Sequence, residues 1–82
     1  MRDYEYSFVL NLHERLKQKV NAGIHCKVEY DKLIVSFIND GVKWTIEFNN
    51  FSDRIRHGWT SEYAAHECVE RYKREIMHRY FY

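Results

Sequence analysis

Between residues 24 and 48 apolar and polar positions alternate with a period of two through three short segments. Ile24, Cys26, Val28 and Tyr30 alternate with His25, Lys27 and Glu29. Leu33, Val35 and Phe37 follow Asp31-Lys32, and Val42, Trp44, Ile46 and Phe48 follow Asp40-Gly41. This period is what a strand with one buried face requires. Asp-Gly between two such runs is a strong hairpin signal, because both central residues of a type I′ turn need φ > 0. With two-residue loops at Asp31-Lys32 and Asp40-Gly41, Tyr30 faces Leu33 and Asn39 faces Val42. All three apolar rows then fall on one side. The pattern predicts an antiparallel meander with strands at about 24–30, 33–39 and 42–48. The chain has no proline to demote any of them.

A period near 3.6 flanks the meander. Val9, Leu12, Leu16 and Val20, widened by Phe8, predict a helix from about Tyr4 to Asn21. Asp3 is its expected N-cap, Lys17 and Lys19 suit the negative end of its dipole, and Gly23 is the expected left-handed stop. Residues 52–58 read as a short helical turn or an ordered loop, which Ser52 could cap and Gly58 end, with Phe51 and Ile55 on its buried side. A last helix runs from about Ser61 to Arg79, capped by Thr60 or Ser61. Its apolar stripe is Ala65, Cys68, Val69, Tyr72 and Ile76.

The order helix–strand–strand–strand–helix predicts one α+β domain over residues 1–82. Two layers are expected, with the meander packed by helices on one face. Composition narrows the rest. The chain is 17% aromatic, with seven tyrosines, which serves a small core first and an interface second. Lys plus Arg number 13 against 12 acidic residues, for a net charge of +1. That balance argues against a general polyanion binder and against an acidic nucleic-acid mimic. No apolar run approaches the ~20 residues of a membrane span and no signal-peptide pattern opens the chain, so a cytoplasmic protein is expected. Two cysteines make no disulfide framework, and Cys26 and Cys68 both read as small buried hydrophobes.

Catalytic and metal motifs are missing from the sequence. There is no Gly-rich phosphate loop, no Cys-x-x-Cys and no His-Glu-x-x-His. His66 and Cys68, two apart on a helix, point in different directions. Neither a catalytic residue, a metal ligand nor a cofactor is assigned, and a noncatalytic role is expected.

The meander's second face is more informative. It carries His25, Lys27 and Glu29, then Ile34, Ser36 and Ile38, then Lys43, Thr45 and Glu47. The expected rows are His25–Ile38–Lys43, Lys27–Ser36–Thr45 and Glu29–Ile34–Glu47. Two isoleucines thus stand amid charge, basic at one end and acidic at the other. One reading is a central strand favouring β-branched residues. The other is a protein-binding face with an apolar centre and a polar rim, which would also suit a two-fold homodimer.

Nucleic acid is the alternative partner, through Arg54, Arg56, Arg71, Lys73, Arg74 and Arg79. The element order resembles that of double-stranded RNA-binding domains, in topology only. Those start their second helix with a lysine cluster, where this chain reads Thr60-Ser61-Glu62-Tyr63.

Further short motifs carry a second resemblance: Leu33-Ile34 leading to Asn39-Asp40-Gly41, then Trp44 and Ile46, and later Gly58-Trp59 followed by Glu62-Tyr63. With them the chain resembles the small phage-encoded type II anti-CRISPR proteins, which inhibit Cas9. The resemblance implies a stoichiometric inhibitor of a host nucleic-acid-handling protein, acting in the bacterial cytoplasm. It implicates Asn39, Asp40 and Gly41 at the hairpin tip, and Glu62 at the start of the last helix. The chain's near neutrality sets it apart from the strongly acidic, DNA-mimicking form of such inhibitors.

Overall fold

The computed structural model describes the backbone over residues 2–81 and the side chains over residues 2–76. The elements are α1 (Asp3–Lys19), β1 (Gly23–Glu29), β2 (Lys32–Asn39), β3 (Val42–Phe48), α2 (Phe51–Arg56) and α3 (Ser61–Phe81). The strands form an open antiparallel sheet in the order β1-β2-β3, so β2 is central and both other strands are edges. This is the α+β meander that the alternation predicts.

The inner face of the sheet supplies Leu33, Val35, Phe37, Ile46 and Phe48 to the core, all buried. Phe8, Leu12 and Leu16 come down from α1, Phe51 from α2, and Ala64, Ala65, Cys68, Val69 and Tyr72 from α3. The two alanines let α1 lie close against α3. Among the described residues seven aromatic side chains pack in this core, in two groups, while Tyr4, Tyr6, Tyr30 and Tyr63 are exposed. Phe8 stacks on Trp59 at 5.1 Å and meets Phe51 edge-on at 5.3 Å, with Phe48 5.0 Å from Trp59. At the other end Phe37 stacks on Tyr72 at 4.7 Å beside Trp44. Each such ring buries a large apolar area, worth roughly 2–3 kcal/mol apiece.

Several local expectations are corrected. Helix α1 begins one residue early, after Arg2 rather than on an Asp3 cap; the Arg2 amide donates to the Glu5 carboxylate at 3.2 Å, which explains why that acid is buried in the first turn. The same helix ends at Lys19, with Val20 already extended, so Gly23 is no left-handed stop and opens β1 instead. Ser52 lies inside α2, behind an Asn50 in the left-handed region, and does not cap it. Thr60 does cap α3, its Oγ1 accepting from the Tyr63 amide at 3.1 Å, and Gly58 takes a positive φ after α2 as expected.

The largest correction concerns the first hairpin. Its turn is Tyr30-Asp31, both at positive φ, and not Asp31-Lys32. Val28 therefore faces Leu33, Cys26 faces Val35, and Ile24 faces Phe37. The expected pairing would have set Ile24 against Asn39 and spent Tyr30 on Leu33. The observed one gives every inner residue of β1 an apolar partner and leaves Tyr30 in solvent, 96% exposed. The shift is two residues, so each side chain keeps its face while the rows change. The second hairpin, turning at Asp40-Gly41, pairs Asn39 with Val42 as predicted.

Candidate functional site

The face of the sheet away from the core is built from β1, β2 and β3 at alternate positions. Its rows are Gly23–Ile38–Lys43, His25–Ser36–Thr45 and Lys27–Ile34–Glu47, closed by Glu29–Lys32 at the first turn. These replace the three rows expected from the sequence. Lys32, assigned to a turn by the sequence pattern, stands on this face between two acids. Its ammonium lies 3.3 Å from Glu47, and Lys27 lies 3.2 Å from Glu29. The expected split into a basic and an acidic end is thus neutralised pairwise at the acidic end.

Ser36 is the second correction. Expected on an open surface, it is 2% exposed, lying between Ile34 and Ile38 with its hydroxyl 3.2 Å from that of Thr45. A small side chain in the central strand is overshadowed by its longer neighbours. Ile34 is half-buried, while Ile38 is 45% exposed. What the face offers is a short apolar ridge, Ile38 and part of Ile34, rimmed by His25, Lys27, Lys43, Thr45 and Glu47.

The hairpin tip, Asn39 to Gly41, is exposed. Asn39 Nδ2 donates to the Tyr72 hydroxyl at 3.3 Å, and behind it Phe37, Val42, Trp44 and Tyr72 line a cavity of about 100 Å³. Glu62 is exposed in the first turn of α3. Ten residues of helix separate Glu62 from Tyr72, about 15 Å of rise. The structure does not bring the tip and Glu62 into one patch.

The basic alternative fares similarly. Arg54 lies over the rings of Phe48 and Trp59 at 5.6 and 5.3 Å, and its Nε donates to the Asn49 carbonyl at 2.7 Å. Arg71 also lies over the Phe48 ring, at 5.5 Å, and approaches Glu67, which accepts from the Trp59 indole. Arg56 pairs with Asp53. Three of the six basic residues are therefore engaged by rings and carboxylates of the fold itself. Lys73 and Arg74 are exposed on α3, Arg74 beside Trp44 in a shallow groove, and the Arg79 side chain lies outside the described residues.

The cysteines sit as the apolar pattern suggests, with Cys68 buried and Cys26 only half so. Burial pushes the Cys26 thiol up to about 11 and the Cys68 thiol up to about 12; nearby Cys26 and Glu67 add to the latter and Arg71 opposes it. Thiols held neutral in this way are poor nucleophiles near neutral pH. Among the described residues no group of three His, Cys, Asp or Glu side chains is placed to hold a metal, and no helix is long and apolar enough to cross a membrane.

One concave surface has no counterpart in the expectations. Between α1 and the free edge of β1 runs a groove of about 490 Å³, walled by Tyr6, Val9 and Leu10 on one side and Ile24, Cys26 and Val28 on the other. Tyr6 is 56% exposed and Leu10 49%. Their four-residue spacing beside the core stripe of α1 is visible in the sequence, as an apolar face wider than one core needs.

Set beside known proteins, the chain matches no family model, no curated protein and no solved structure.

Proposed function

We propose that the protein is a noncatalytic binder of another protein, acting by stoichiometric occlusion. The instance to test first is the one its short motifs imply, inhibition of a CRISPR effector such as Cas9. The observation that carries the reading is the sheet face turned away from the core, with the exposed Ile38 beside Ile34 inside a charged rim. Such a layout, apolar at the centre and polar around it, is that of a transient protein interface. Its rim charges pair internally at Lys27–Glu29 and Lys32–Glu47, so the free surface stays soluble and exposed pairs of this kind open at little cost.

The experiment is a DNA-cleavage assay with purified Cas9 and guide RNA, titrated with the protein. Inhibition should saturate near one molecule per effector, and Ile34→Asp with Ile38→Asp should weaken it at least tenfold while leaving the fold intact by circular dichroism. If Cas9 is unaffected, the same double variant is compared with wild type in pull-downs from a bacterial lysate. A partner set unchanged by the substitutions would sink the reading. A gel shift at 50 and 200 mM salt decides against nucleic acid in parallel, because phosphate binding through several Lys and Arg would weaken steeply between the two.

A further inference from the structure

The free edge of β1 has a defined hydrogen-bonding pattern. A two-residue turn closes with a bond between the residues flanking it, so Glu29 and Lys32 direct their backbone groups at each other. Along an antiparallel strand these groups alternate in direction. Residues 23, 25, 27 and 29 therefore face β2, and Ile24, Cys26 and Val28 turn their N–H and C=O outward. His13 supports this independently, since its Nε2–H reaches outside the sheet to the Ile24 carbonyl at 3.2 Å. Among the described residues, no backbone group from beyond the sheet pairs with Cys26 or Val28.

A row of outward N–H and C=O groups repeating about every 7 Å fits an extended chain and little else. The same three residues turn their side chains toward α1, into the groove walled by Tyr6 and Leu10. The remaining polar lining is His13, His25 and Lys27, and the last two belong to the opposite face of β1, which also carries Glu29. Lys27 is held by Glu29 on one side, yet an ammonium has three donors.

We infer that β1 is a strand-addition site for an extended segment of a partner protein with alternating apolar and acidic residues. The segment lies antiparallel to β1. Its apolar side chains enter the α1–β1 groove and its acidic ones stand beside His25 and Lys27. Directly opposed residues of an antiparallel pair share a face, so the amides of the apolar residues are those that bond to Cys26 and Val28. The inference shares with the reading above the class of partner, a protein. It concerns an edge rather than a face, and the substitutions that test the two do not overlap.

The probe is a fluorescein-labelled seven-residue peptide alternating Val and Glu, followed by anisotropy against the intact protein. It should bind at least tenfold more tightly than the Val/Lys peptide and than a block peptide of the same Val/Glu composition. N-methylation of the Val amides should abolish binding, and N-methylation of the Glu amides should change it less than twofold. Val28→Pro removes an outward N–H that the sheet does not use, and Leu10→Asp charges the exposed groove wall; each should cost tenfold or more. Should the proline variant fail to fold, the leucine variant carries the test alone. Absence of binding by the Val/Glu peptide, or equal sensitivity to both methylation patterns, overturns the proposal. So does a dimer in sedimentation that Leu10→Asp dissociates and the peptide does not disturb, because the edge would then belong to a second copy of this chain.

Discussion

The two turns of the meander have nearly the same backbone and opposite causes. Tyr30-Asp31 sits at φ of 54° and 58°, Asp40-Gly41 at 53° and 77°. Both are two-residue connections with two left-handed positions, as the twist of a hairpin prefers. Asp40-Gly41 adopts this form from its own chemistry, since glycine enters the left-handed region freely and aspartate tolerates it. Tyr30 has no such freedom, and a bulky side chain there is strained. What holds the first turn lies some twenty residues downstream. The Asp31 carbonyl accepts from the Phe51 amide at 2.9 Å, and its carboxylate takes the Ser52 amide at 2.9 Å and the Ser52 hydroxyl at 3.0 Å. The first turn is built by its tertiary partner, the second by its sequence.

The sharpest way to break this comparison is Asp31→Ala. It removes the two charge-assisted hydrogen bonds to Ser52 and keeps only the Asp31 carbonyl's bond to the Phe51 amide, for an expected loss of about 2 kcal/mol. Ser52→Ala, which deletes only the hydroxyl bond, should lose about half as much. Urea denaturation of the three proteins measures both. Asp40→Ala, at the first place of the second turn, should lose about 1 kcal/mol, because alanine is strained at its φ of +53° and no bond to another element is broken. Equal losses at the two aspartates would show that the Asp31 side chain's bonds to Ser52 contribute nothing to the first turn.

The contrast also explains which parts of the molecule are legible from sequence. Element order, the helical stripes and the membership of both sheet faces follow from periodicity, which is local and survives a two-residue slip. The register of the first hairpin does not, because Asp31 discloses its role only when Ser52 is folded against it. That one slip propagates into the candidate site. It hides Lys32 in a turn, and Lys32 is the charge that lies against Glu47. The burial of Ser36 is hidden for another reason, since a small residue between Ile34 and Ile38 is covered by neighbours whose reach no alternation encodes. The groove beside β1 has only the four-residue spacing of Tyr6 and Leu10 as its signal in the sequence, and its depth depends on how α1 crosses the strand.

A smaller effect sharpens the other half of the comparison. At Gly41 an added Cβ would meet nothing within 4 Å, so Gly41→Ala tests backbone conformation with no steric contribution from neighbours. At a φ of +77° the cost should be about 1 kcal/mol. Thermal denaturation gives the value. A loss of several kcal/mol would mean that the tip is tied into the fold as firmly as the first turn.

The smallest expected effect is a gain, and it isolates the strain that α2 imposes. Tyr30 is almost wholly exposed, so replacing it removes no packing. Asparagine visits the left-handed region far more readily, because its short polar side chain bonds to the local backbone. Tyr30→Asn should therefore raise stability by about 0.5 kcal/mol, part of the 1–2 kcal/mol that a left-handed position costs an ordinary residue. In the Asp31→Ala background the same change should help at least as much, since the turn must then hold itself. A double-mutant cycle in urea reads this coupling directly. If Tyr30→Asn lowers stability in both backgrounds, the tyrosine is not a strained bystander, and the first turn owes its shape to residue 30 as well as to Asp31.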